Sequence, residues 1–143
     1  MALPKGVEKT ARAFARAIIG KKWGVVLTLL AAELKEHTTA ETLADEFGWD
    51  QLGPRLRQMH IALTGEPDDA IPELDPPKRF EVFEVEERQP PAGLDSTIAV
   101  NWIEVDFQPA EDSEFDVCYN CFLAFVDEGA PRVIAFVIEI ATE

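Results

Sequence analysis

Hydrophobic and polar positions follow a helical period up to residue 63 and a period of two from residue 79 onward, which divides the chain into a helical part and a strand part. Val7, Ala11, Phe14 and Ile18 are spaced 4-3-4, and Lys5, Lys9, Arg12 and Arg16 repeat that spacing two residues earlier, about 200° around a helix. This predicts an amphipathic first helix with a basic face. The face would suit a membrane surface or a partner, but an ordinary surface helix is the simpler reading, because Phe14 and Ile18 are needed for a core. Gly20 suits its C-cap. "KKWGVVLTLLAAELKEH" then places Trp23, Val26 or Leu27, Leu30 and Leu34 on one face of a second helix. "TTAE" at 38–41 has the form of a capping box, Thr38 with Glu41, and opens a third helix ending near Phe47–Gly48. A fourth is expected from Pro54 to Leu63, with proline in the first turn, where its missing N–H costs nothing.

Residues 64–78, "TGEPDDAIPELDPPK", hold four prolines and five acids and read as an extended crossing loop. Beyond it "RFEVFEVEER" (79–88), "STIAVNWIEVDF" (96–107), "EFDVCYNCFLAFV" (114–126) and "RVIAFVIEI" (132–140) read as four strands joined by short turns, hence an antiparallel meander. Two of them change face partway: Phe80 and Val82 give way to Phe83 and Val85, and Ile98, Val100 and Trp102 to Ile103, Val105 and Phe107. Such switches predict bulges that bend a sheet. The expected architecture is a single α+β domain over 1–143, a helical part (1–63) packed on a curved, cone-like antiparallel sheet (79–143) of four or more long strands.

Length and composition agree with one ordered domain: 143 residues, 47% hydrophobic, nine Phe and three Trp. Charge changes the picture more. Residues 1–60 carry nine Lys/Arg against seven Asp/Glu, and residues 61–143 carry four against twenty, within a net charge of −14. An acidic surface of this size repels phosphate backbones and anionic lipid, so nucleic acid and membrane are not expected partners. A basic protein or a cationic ligand would fit the acidic half better, although carboxylates that merely keep a small domain soluble explain it as well. The N-terminal stretch lacks the apolar run of a signal peptide, and no run of about 18 apolar residues could span a bilayer, so a cytoplasmic location is expected.

The stretch "FARAIIGKKWGVVLTLLAAELKEHTTAETLADEF" resembles the opening of nuclear transport factor 2-like (SnoaL-like, ketosteroid isomerase-like) domains: a helix, a turn, a second helix and a short helix begun by threonine, with long strands after them. Residues 48–78 depart from that pattern. The resemblance implies a curved sheet wrapped around helices, a pocket on the concave side and frequent dimerisation through the outer sheet face. It implies no single activity, since the fold hosts isomerases, dehydratases, binding domains and scaffolds.

Cys118 and Cys121 form the chain's one Cys-x-x-Cys. On a strand, residues three apart point to opposite faces, and neither a helix N-terminus nor further ligands accompany them, so they read as packed thiols and not as a redox or metal pair. Glycine-rich phosphate loops, serine elbows and His-carboxylate metal spacings do not occur, and no cofactor or metal is expected. Acid–base chemistry would draw on Asp106, Glu104 or His60, with Tyr119 holding a developing oxyanion. A binding pocket would draw on Trp23, Trp49 and Trp102 as walls, with Tyr119, Asn101 and Asn120 as orienting polar groups, between the second and third helices and the concave face of strands two and three.

The leading functional expectation is a noncatalytic domain that binds an apolar small molecule or a protein. An isomerase or dehydratase using a pocket carboxylate is the alternative, and an acidic neutraliser of a basic protein a third. On the last strand Ile134, Phe136, Ile138 and Ile140 oppose Val133, Ala135 and Val137, so both faces are apolar and the one turned from the helices needs a second copy or the residue 64–78 loop as its cover; a homodimer through the outer sheet face is expected.

Overall fold

The computed structural model describes residues 5–65, 76–85, 101–109 and 119–140. Five helices, α1 (Lys5–Ile19), α2 (Trp23–Thr28), α3 (Ala32–Lys35), α4 (Ala40–Phe47) and α5 (Trp49–Thr64), precede four strands, β1 (Arg79–Glu84), β2 (Asn101–Gln108), β3 (Tyr119–Asp127) and β4 (Pro131–Ile140). The strands pair antiparallel in the order β1-β2-β3-β4, so the fold is the α+β arrangement and meander that the sequence implies. β1 and β4 lie at the ends of the sheet, which is not closed into a barrel.

α1 buries the apolar stripe its spacing announces: Val7, Ala11, Phe14 and Ile18 are all in the core. On the other side Arg12 pairs with Glu8 at 2.9 Å, and the Arg16 guanidinium lies 5.9 Å from the centre of the Phe80 ring. The helix ends in a Schellman arrangement, Lys22 N–H donating to the Ala17 carbonyl and Lys21 N–H to that of Ile18. Gly20 is thus the C-cap, but the left-handed residue is Lys21 (φ 57°). The left-handed conformation that a glycine would adopt freely falls on a residue with a Cβ.

The second predicted helix is interrupted. Ala31 is extended (φ −63°, ψ 152°), its N–H donates to the Val133 carbonyl at 2.7 Å, and Val133 N–H donates to the Leu29 carbonyl at 2.9 Å. Leu30 therefore forms a parallel bridge to the edge of β4, separating α2 from α3. Tertiary pairing overrides a helical pattern already weakened by Gly24, Val25, Val26 and Thr28. The Glu128 carboxylate, from the β3–β4 turn, accepts from Ala32 N–H at the start of α3.

Two helix starts also shift. The capping box of α4 is Thr39 with Thr42, one residue beyond the expected Thr38 and Glu41, and the Thr38 hydroxyl instead donates back to the Leu34 carbonyl. α5 begins at Trp49, not Pro54, which leaves proline inside the helix. Pro54 is exposed, so the Asp50 carbonyl it fails to engage is near the solvent-facing side. The helix stops at Gly65, left-handed at φ 72°.

Within the sheet, Ile103, Val105 and Phe107 of β2 share the inner face with Tyr119, Cys121, Leu123 and Phe125 of β3 and with Phe80 and Val82 of β1. The β1–β2 register runs without interruption from Arg79↔Gln108 to Glu84↔Ile103, so the expected bulge at Phe83 is not present; Phe83 points outward and is 43% exposed. The proposed switch at Ile98–Trp102 begins outside the described residues. The register shift lies elsewhere, between β3 and β4: Ala124 pairs with Ala135 and Phe125 with Val133, leaving Ile134 extra. That extra residue lets Val133 and Phe136 join the same core, where the Phe136, Phe14 and Phe47 rings meet with centroids 5.0–6.5 Å apart.

Candidate functional site

A single glycine makes the corner from which the site is built. Gly48 is both the C-cap of α4 and the N-cap of α5, and its N–H donates to the Ala44 carbonyl at 2.8 Å. A Cβ there would collide with that same carbonyl oxygen, so only glycine lets the two helices meet this closely. The corner sets Phe47 and Trp49 on either side of one residue. The Trp49 indole then folds back along its own helix onto Gly53, where a Cβ would stand 2.9 Å from the indole nitrogen. Two glycines therefore fix one tryptophan.

Beside it lies a cavity of about 180 Å³, lined by Ile18, Ile19 and Lys21 from the end of α1, Phe47, Trp49 and Asp50 from the corner, and Pro76, Pro77 and Lys78 ahead of β1. The floor is apolar, while Lys21, Lys78 and Asp50 are exposed at its rim. The Trp49 ring also faces Tyr119 (6.2 Å between centroids), which stacks on Phe107 at 4.8 Å. A second cavity of about 180 Å³ runs between α5 and β4, lined by Glu46, Leu52, Arg55, Leu56, Met59, Phe136 and Ile138. Its arginine is already committed: Arg55 donates to the Asp45 and Glu46 carbonyls that end α4.

Of the expected site residues the fold brings Trp49 and Tyr119 together and separates others. Tyr119 and Asn101 belong to the inner face, whereas Trp102, Glu104, Asp106 and Asn120 belong to the outer one. Tyr119 pairs with Phe107, so the neighbouring Asp106 necessarily points the other way. The oxyanion-holding tyrosine and the candidate carboxylates cannot act on one substrate across the sheet. His60 sits on α5, partly buried, and Trp23 opens α2, packed against the core. Tyr119 itself is 2% exposed and does not line the cavity; burial, with a smaller contribution from Cys121, pushes its pKa up, so it is a neutral hydroxyl. Cys121 is a buried free thiol, also raised by burial, and Cys118 lies outside the described residues.

Sequence reasoning missed Phe47, Lys21 and Lys78 as cavity residues. The signal available was the pair Gly48 and Gly53 flanking Trp49, two positions where a helical stretch keeps residues of poor helix propensity. Among the described residues no helix is long and apolar enough to cross a membrane. Compared with family models, with curated proteins and with solved structures, the chain gives no match.

Proposed function

We propose that this chain is a noncatalytic binding domain of the cone-fold, nuclear transport factor 2-like type, cytoplasmic, which holds a small molecule in the cavity at Trp49 and pairs with a second copy through the outer face of its sheet. The observation that carries the reading is the cavity itself: an aromatic wall held by two glycines, at a helix corner that a Cβ would break. Folded domains place glycine inside helices at a cost of about 1 kcal/mol each relative to alanine, so an indole seated on Gly53 is a position with a use. The cavity lies between the end of α1, the α4–α5 corner and the residues ahead of β1, and no described strand residue lines it, so it is not at the face of strands two and three where the sequence predicts a pocket.

Protein-observed NMR with a set of small fragments tests the reading. Binders are expected to shift the Trp49 indole N–H and the Phe47 ring signals first, and to do so less in Gly53→Ala, where the added methyl displaces the indole. Fragments that bind only between α5 and β4, around Met59, would overturn it.

A further inference from the structure

Lys78 is one of only four Lys/Arg after residue 60, in a stretch with twenty acids, yet it lies on the rim of the same cavity as Lys21. Lys21 reaches that rim from a left-handed backbone position that a lysine occupies at a cost. Among the described residues neither ammonium group makes an ion pair, although the chain carries an excess of fourteen negative charges. The third charge on the rim, Asp50, stands in the first turn of α5, where a carboxylate is favourably placed against the helix dipole. Between these groups the walls are the Trp49 and Phe47 rings, Ile18, and the flat rings of Pro76 and Pro77.

From this juxtaposition we infer that the cavity takes a small planar organic anion, its apolar body against Trp49 and its carboxylate-like group between Lys21 and Lys78. The inference rests on the reading of that cavity as a binding site and adds the ligand's class. The volume of about 180 Å³ admits a body of roughly ten to fifteen non-hydrogen atoms, smaller than the ligands of drug-sized pockets. Both lysines are exposed, so their attraction is modest and screened by salt, and the apolar walls supply most of the affinity.

Three isosteric probes separate the possibilities: 1-naphthoate, the neutral 1-naphthylmethanol and the cationic 1-naphthylmethylammonium, titrated calorimetrically into the full chain at about 50 mM salt. Naphthoate is expected to bind about fivefold or more tightly than the alcohol, and the ammonium more weakly than either. Lys21→Met and Lys78→Met keep the apolar stems and should each weaken naphthoate about threefold; the double variant should bring it to the level of the alcohol, whose own affinity stays within about twofold. Raising salt to about 0.5 M should erase the same difference. Equal binding of naphthoate and alcohol, both shifting Trp49, would overturn the anion class and leave the cavity as a binding site. Tightest binding of the ammonium would also overturn it and would assign the recognition to Asp50. Binding of none of the three would overturn the inference together with the reading on which it rests.

Discussion

The Tyr119 hydroxyl is buried and has no hydrogen-bond partner among the described residues. An unpaired buried hydroxyl costs about 1–3 kcal/mol of desolvation. Tyr119→Phe should therefore leave stability unchanged or raise it by about 1 kcal/mol in chemical denaturation, while ligand binding at the cavity stays as it was. A loss of stability would mean the hydroxyl has a partner. Cys121 makes a second prediction, with a direction in pH. Burial raises the thiol above its ordinary value near 9, so above that pH the unfolded chain releases a proton that the folded chain keeps. Folded protein then binds more protons than unfolded, and stability falls as pH rises, by up to about 1.4 kcal/mol per pH unit for this group. Cys121→Ala should lose stability less steeply than the parent from pH 9 to 10, where the tyrosine begins to add its own share. Parallel slopes would contradict the burial of the thiol. At this scale the sequence was readable where parity decides: the register Tyr119, Cys121, Leu123, Phe125 points inward as the alternation says. Parity also sets Trp102 opposite to Asn101 and Asn120 opposite to Tyr119, so these four could not line one pocket; what alternation leaves open is which face meets the helices.

Among the elements, helix existence followed from apolar spacing and helix boundaries did not. α1 needs only its own stripe, and α4 ends at Phe47 as expected. The break at Leu30 depends on Val133, a residue about a hundred positions away, and no local pattern carries that information. The start of α5 at Trp49 depends in turn on the close approach of Gly48 to Ala44. The cap of α4 was legible in kind and ambiguous in place, since "TTAET" offers two threonines and two partners three residues on. The structure chooses Thr39, whose side chain accepts from Thr42 N–H at 3.1 Å while the Thr42 hydroxyl accepts from Thr39 N–H at 2.8 Å. Thr39→Ala should cost about 1 kcal/mol in thermal or chemical unfolding, and Glu41→Ala only a few tenths. The reverse order would restore the box to Thr38 and Glu41.

On the scale of the whole molecule the outer sheet face links charge to assembly. Register sets Phe83, Glu104, Phe122 and Val137 in one row across the four strands, with Trp102, Ala124 and Ala135 beside them, and on the other side Glu81, Asp106, Asn120 and Glu139. The first two rows are mostly apolar, Phe83 is 43% exposed, and the third is acidic. Glu104, Phe122 and Ala124 at the centre of this face are already buried in the single chain, so a second copy would cover chiefly Phe83 and the half-buried Trp102, and would also bring carboxylates near their equivalents, on chains that each carry −14. The proposed dimer is thus held by apolar contact against charge repulsion, and added salt should strengthen it by screening the repulsion while leaving the apolar term in place. Sedimentation at high micromolar concentration should show a dimer whose population grows from about 20 mM to about 0.5 M salt, and Phe83→Lys should return it to monomer without loss of fold, because that side chain is already solvent-exposed. A monomer at every salt concentration would sink the proposal. A dimer that dissociates as salt is added would place the contact on paired opposite charges, and so on a surface other than this one.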